Sequence, residues 1–281
     1  MTIPIHVVVP CMNRLAFLKV TAPAVIAQPQ FRYSLVDFSC REGSGDWLTA
    51  AFPKEVAQGR VSVVRVPGHQ YFHKTIALNV GCRHALDSGA DYVCVLDGDT
   101  LLQPGFGDWV VSNLHSNEFI VAGHLPDGSD VSCLMGLIVM PAWALRQAGG
   151  YDESMHGWGG EDIEMRLRMH LKMNLPYRRV PLSLLGYIDH GDDLREANTQ
   201  LSKEESNQRN IGICGMRVRE WTGRNFAELS PWARDLLLQK EGATSVTAEQ
   251  RRQREDPHAR ATRLRAGLTR ANLLRLRATR G

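Results

Sequence analysis

Four short apolar runs alternate with helical patterns over the first hundred residues, and this alternation restricts the chain to few architectures. Ile5-His6-Val7-Val8-Val9 is β-branched and stopped by Pro10, and Leu15 to Ala27 then keeps helical spacing at Leu15, Leu18 and Ala22. Tyr33 to Phe38 reads as a second strand, Trp47 to Val56 as a helix interrupted by proline, and Val61 to Val66 as a third strand closed by Pro67-Gly68. Lys74 to Leu86 is helical in period, and Tyr92-Val93-Cys94-Val95-Leu96 is a nearly continuous apolar strand. Strands that do not alternate polar with apolar are buried on both faces, so the pattern predicts a mostly parallel, Rossmann-like α/β sheet flanked by helices. In such sheets ligands collect beyond the carboxyl ends of the strands.

With 281 residues the chain can bury a sizeable core. Six cysteines stand apart, with no Cys-x-x-Cys pair, and read as reduced core thiols of a cytoplasmic protein. The longest apolar stretch, Cys133 to Leu145, is too short to cross a bilayer and is broken by Pro141, so no transmembrane or signal segment is expected. The net charge of +3 is unevenly spread. Ten arginines against Glu255 and Asp256 give residues 251–281 a charge of +8, leaving −5 for the rest. The boundary predicted near Gly242 divides a catalytic domain at 1–241 from a basic tail at 242–281. Helical spacing of Leu264, Leu268, Ala271 and Leu274 makes the tail an amphipathic helix suited to an anionic surface, or a solvated arm.

Two stretches carry candidate chemistry. Asp97-Gly98-Asp99-Thr100 follows the fourth strand directly, where a hard oxygen pair suits a divalent cation carrying phosphates; Asp-Gly is also a common solvated turn. Gly149-Gly150-Tyr151-Asp152 and Gly157-Trp158-Gly159-Gly160-Glu161-Asp162 set glycines, one indole and adjacent carboxylates where a loop becomes a helix. Such a site could hold a polyhydroxylated acceptor and take its proton; an ordinary glycine turn with acidic first-turn residues is the plain alternative. From Ile163 to Met173 apolar and polar residues alternate strictly, yet helix formers dominate and β-branched residues are nearly absent. A helix there bears apolar stripes on nearly opposite faces and is expected to lie between the sheet and another layer. Strands are further expected at Ile120 to Val121, Leu134 to Met140 and Leu182 to Ile188, with helices at Pro141 to Ala148 and Trp232 to Gln239.

In order along the chain these motifs resemble the nucleotide-sugar glycosyltransferases of the A-type fold, galactosyltransferase-like, a group that includes the β-1,4-galactosyltransferases and chondroitin-type polymerases. The resemblance runs from about Val7 to about His190. It implies that Pro10, Asn13 and Arg14 form a nucleotide-contacting loop, that Asp37 contacts uridine, that Phe72 packs on the uracil, and that Lys74 reaches the diphosphate. It implies further that Asp97 faces the nucleoside, that Asp99 and His190 bind Mn2+, with Mg2+ as the alternative, and that Trp158, Gly159 and Gly160 hold the acceptor. Asp162 would be the catalytic base, and Glu161 would orient the acceptor.

On that resemblance the expected activity is metal-dependent, inverting transfer of a hexose or N-acetylhexosamine from a UDP-sugar to an acceptor hydroxyl. The acceptor could be a glycan, a lipid-linked sugar, a peptide or a modified nucleic acid. A helix N-terminus is expected to depress the pKa of Asp162. Tyr187 stands where the animal galactosyltransferases carry a methionine ligand, which leaves a third protein ligand unassigned. Competing functions are a nucleotidyltransferase, although Pro10-Cys11-Met12-Asn13-Arg14 lacks that class's glycine- and lysine-rich loop, and an inactive polyanion-binding protein acting through its arginine tail.

Overall fold

The computed structural model describes residues 5–125 and 130–238. The predicted helix in the basic tail lies outside them. Nine strands and ten helices follow one another along the described chain. The first half runs β1 (Ile5–Cys11), α1 (Leu15–Ile26), β2 (Phe31–Phe38), α2 (Ser44–Ala51), α3 (Pro53–Ala57), β3 (Val61–Val66), α4 (Lys74–Asp87) and β4 (Tyr92–Val95). Then come β5 (Thr100–Leu102), α5 (Phe106–Asn113), β6 (Phe119–Ala122), β7 (Ile138–Pro141), α6 (Ala142–Ala148), α7 (Glu161–Leu167), β8 (Tyr177–Val180) and β9 (Leu185–Tyr187). α8 (Asp192–Glu196), α9 (Lys203–Thr222) and α10 (Pro231–Leu237) complete the described residues.

The main sheet has the order β3-β2-β1-β4-β7-β6-β8. β1 to β4 are parallel, as the unbroken apolar runs require, and β7 alone opposes its neighbours β4 and β6. One sheet face is packed by α1, α2 and α5 through Leu18, Ala22, Leu48, Phe106 and Val110. The other is packed by α4, α6 and α7, with Leu78, Leu145, Met165 and Met169 against Val8, Val36 and Val95. A third cluster joins Ile163 and Leu167 of α7 to Cys214 and Val218 of α9 and to Leu236 of α10. The two stripes of the 163–173 segment therefore do face two layers. Its helix continues as a wider π-helical turn at Arg168–Lys172.

Two expected strands shift. Leu134 lies in a 3-10 turn and the strand starts only at Ile138; Leu182–Leu184 is likewise a 3-10 turn, and the rest forms β9. β9 pairs with β5 in a separate two-stranded sheet instead of extending the main one. That pairing holds the residues after β4 against those before His190, which the sequence pattern did not reveal. No described helix is long and apolar enough to cross a membrane.

Candidate active site

Because β1 to β4 are parallel, their carboxyl ends open on one side, and the chain delivers Asn13, Cys40, Phe72 and Asp97 there in turn. Leu96 continues β4 by donating its N–H to Val8 O at 3.1 Å, so Asp97 leaves the sheet at a fixed point. The turn is then clamped from α1, where Thr21 Oγ1 donates to Gly98 O at 2.9 Å. Across β5 and β9, Thr100 pairs with Tyr187, and Ile188 N–H donates to Asp99 O at 2.9 Å. These bonds bring His190 Nε2 to 2.9 Å from Asp99 Oδ2. The His190 ring also stacks on Phe17 with centroids 5.1 Å apart.

Asp99 Oδ1 is buried without a hydrogen-bond partner among the described residues. A spare carboxylate oxygen beside an imidazole fits a divalent cation, and the mixed O and N donor set suits Mn2+ better than Mg2+. The protein provides two such donors here; no cluster of three or more His, Cys, Asp or Glu able to hold a metal occurs among the described residues.

Lys74, the first residue of α4, joins this turn to the start of α7. Its Nζ lies 2.6 Å from Asp97 Oδ1 and 2.7 Å from Glu161 Oε1. Burial alone would push the Lys74 ammonium down, but Asp97 and Glu161 outweigh it and hold its pKa well above the ordinary lysine range. Burial raises Asp97 against the pull of Lys74, and Asp99 adds to the rise. Asp162, next to Glu161, is pushed up to about 6, first by burial and then by the Glu161 charge, with Lys74 and Arg166 opposing. The expected depression at a helix N-terminus is thus reversed. Loss of water around a carboxylate outweighs a helix-end effect of about 0.3–1 kcal/mol.

The glycine loop is carried by α9. Trp158 N–H donates to Ser206 Oγ at 3.0 Å, and Asn210 Nδ2 donates to Gly159 O at 2.6 Å and His156 O at 3.2 Å. Gly160 caps α7 at φ 91°, where an added Cβ would sit 2.6 Å from Asn210 Cβ, so a left-handed backbone and a close neighbour both demand glycine. The indole of Trp158 has Lys203 Nζ 4.8 Å from its centroid.

Beneath the loop Arg166 is 1% exposed, and its Nη2 donates to Met135 O at 2.7 Å and more weakly to Leu137 O and Leu134 O. It thereby fixes Gly136 against Asp97: a Cβ on Gly136 would lie 2.6 Å from Asp97 Cγ and nearer still to Oδ2.

The remaining sequence-predicted residues gather at the same end, in varied roles. Asn13 Nδ2 donates to Asn198 Oδ1 at 2.8 Å and Phe72 N–H donates to Asn198 O at 2.7 Å, so one residue ties both loops together. Phe72 meets Phe38 edge-on with centroids 5.7 Å apart. Arg14 donates to Leu194 O and Asn13 O. Pro10 is part of β1. Asp37 is buried, with its oxygens receiving Cys40 N–H at 3.1 Å and Gly45 N–H at 3.2 Å, and Arg65 3.4 Å away. That is the arrangement of a turn-closing aspartate. Asn198, Ser206, Asn210, Arg166 and Gly136 were missed from sequence, because each acts through a partner at least 29 residues away.

The family model Glycosyl transferase family 2 matches residues 6–136, and that of the N-terminal domain of galactosyltransferase matches residues 129–190. No curated protein matches significantly. Among solved structures, a mannosyltransferase from Pyrobaculum calidifontis in complex with GDP-Man and Mn2+ is 14% identical, covering 83% of this chain and 72% of its own, at a TM-score of 0.53. TarS 1–349 from S. aureus in complex with UDP is 12% identical, with 82% and 76% covered and a TM-score of 0.51. GalNAc-T7 with UDP, GalNAc and Mn2+ is 17% identical, with 78% and 48% covered and a TM-score of 0.57. The sheet and these matches define a glycosyltransferase with the A-type fold. Within that class the chain is galactosyltransferase-like, since the second family model spans the glycine loop, α7 and His190.

Proposed function

We propose that the protein transfers a hexose or N-acetylhexosamine from a UDP-sugar to an acceptor hydroxyl, with a divalent metal and with inversion at the anomeric carbon. The carrying observation is the Lys74 bridge. It sets the Asp97-Gly98-Asp99 turn, with His190 alongside, one ammonium away from Glu161 and hence beside Asp162. A donor end and an acceptor end thus share one cleft. Two of the structural relatives were crystallised with UDP, which supports the nucleotide. We assign catalysis to residues 1–241 and place the enzyme in a reducing compartment, a reading supported by cysteines scattered along the sequence with no Cys-x-x-Cys pair.

Asp99 and His190 would hold the metal. Bound there, Mn2+ would offset the charge gathering on the diphosphate as the sugar–phosphate bond breaks. The protein does the rest. Asn13, Arg14 and Phe72 line the nucleotide end, and Lys74 lies where it can meet negative charge leaving the sugar. Trp158, Gly159 and Gly160 present the acceptor, oriented by Glu161. Asp162 Oδ1 is engaged by Ile163 N–H at 2.7 Å, so Oδ2 is the oxygen that takes the acceptor proton. A pKa of about 6 makes Asp162 ionised at neutral pH and a better base than an ordinary aspartate. Direct displacement with the base on the face opposite the diphosphate inverts the centre.

A donor screen by nucleotide release tests this, with UDP-sugars and GDP-Man, in Mn2+ or in EDTA. One UDP-sugar should be turned over, EDTA should abolish the reaction, and Asp162→Asn should lower transfer by roughly 10²–10⁴-fold while UDP still binds. Equal transfer by variant and wild type would remove Asp162 from its role, and a preference for GDP-Man would replace the donor.

A further inference from the structure

The turn after β2 brings two sulfurs to one hydroxyl. Cys11 ends β1, where the strand register sets it opposite Asp37, and Cys40 follows three residues beyond Asp37. Cys40 Sγ lies 3.0 Å from Ser44 Oγ, and Cys11 Sγ lies 3.7 Å from the same oxygen. The N–H of Asn13 points at Cys40 Sγ from 3.2 Å, with Asn13 in a left-handed conformation at φ 55°. Cys11 is buried, whereas Cys40 is half-buried and reachable. An amide N–H and a hydroxyl aimed at one partly exposed sulfur favour its anion, which is the nucleophilic form of cysteine. The reading of all six cysteines as core thiols holds for the four buried ones, while Cys40 and Cys133 are half-buried.

We propose that Cys40 is a reactive thiolate site for hydroperoxides, and that Cys11 resolves its oxidised form into a Cys11–Cys40 disulfide. The Cys40 sulfur attacks the O–O bond: an S–O bond forms, the O–O bond breaks, and sulfur is oxidised to sulfenic acid. The peroxide is reduced to water or an alcohol, taking one proton from solvent. The Cys11 thiol then gives up its proton and bonds to the Cys40 sulfur, and the sulfenic hydroxyl departs with that proton as water. Electrostatics supports the division of labour. Its hydrogen bond with Cys11, against the opposing effect of burial, and help from Ser44 and Asn13 hold Cys40 down to about 5, while the same bond and burial push Cys11 up. One sulfur keeps the proton and the other does without.

Asn13 and Asp37 both hydrogen-bond Cys40, so oxidation would disturb the nucleotide end; that consequence rests on the donor reading proposed above. Brief iodoacetamide pulses on the full chain at several pH values, followed by peptide mapping, should label Cys40 first, with a rate midpoint well below the free-cysteine value of about 8.5. Stoichiometric hydrogen peroxide should give the Cys11–Cys40 link in wild type, and in Cys11→Ala or Cys11→Ser a sulfenic acid on Cys40 trapped by dimedone. Labelling of Cys40 no faster than of half-buried Cys133, or peroxide yielding no such link, overturns the proposal. UDP with Mn2+ should slow the labelling. Fast labelling and a disulfide without that protection would uphold the thiol site and count against the donor reading of the turn.

Discussion

The half we assign to the donor and the half we assign to the acceptor differ in what supplements their apolar cores. From β1 to β4 the chain is fixed by parallel backbone ladders and apolar contact, with Val7, Val8, Val36 and Val93 fully buried. From Leu134 to α10 the apolar clusters on either side of α7 are joined by charges and amides withdrawn from water. Arg166 collects three carbonyls, Arg168 pairs Glu164 at 2.8 and 2.5 Å, and Asn210 and Ser206 hold the glycine loop. Burying an apolar strand is forgiving, because nearly any β-branched residue of the right size serves. A buried polar network is unforgiving, because each missing partner strands another group. The difference teaches where the fold tolerates change and where the site does not.

The sharpest break in that separation is Gly136, the one acceptor-half residue whose Cβ would strike a donor-half carboxylate. Gly136→Ala should displace Asp97 from Lys74 and lower kcat/KM by about 10²-fold with little loss of thermal stability, since misplacement near 1 Å costs about that much. Activity near wild type would show that Asp97 moves freely.

Next comes Gly160→Ala, which meets both φ 91° and Asn210. A destabilisation of about 1–3 kcal/mol is expected, read as a lowered Tm in thermal unfolding, while UDP binding by calorimetry stays intact. Loss of UDP binding would mean that the halves are not independent.

Asp162 provides a pH test. Its folded pKa of about 6 lies above the ordinary 3.8, so its support for the fold is complete below pH 3.8 and lost as pH rises through about 6. Asp162→Asn should accordingly be more stable than wild type at pH 7.5, by about 1 kcal/mol after solvent screening, with the gap closing toward pH 4. Wild-type transfer should fall below about pH 6 as the base protonates. A pH-independent gap in stability would show that burial does not govern this carboxylate.

The smallest effect belongs to the outer face of α9. Gly212 and Gly215 are interior to the helix with open space where a Cβ would go. Alanine at either should stabilise by about 0.5–1 kcal/mol in chemical denaturation. A loss would mean that something covers that face.

Legibility followed the same division. β1 to β4 and the helices between them were readable because period and β-branching act locally. α7 was readable through its two stripes, since Met165 and Met169 face the sheet while Ile163 and Leu167 face α9 and α10. β8 was missed: Tyr177-Arg178-Arg179-Val180 has neither alternation nor an apolar run, and it is a strand because Phe119 to Ala122 lies beside it. β5 escaped for a similar reason, three residues being too few for a clear period, and α5 was not read either. In the site, the carboxylates, the histidine and the glycines were visible as residue types. The Lys74 bridge and the burial that sets the Asp162 pKa were not, because both depend on how much water the assembled cleft leaves.

The glycine loop rests on three side chains of a helix roughly fifty residues further along the chain, Ser206, Asn207 and Asn210. Drift at those positions could reshape what the loop admits without touching the sheet or the aspartates. Such a scaffold can change customers while keeping its supplier, which makes α9 the first place to search for divergence among descendants of this chain.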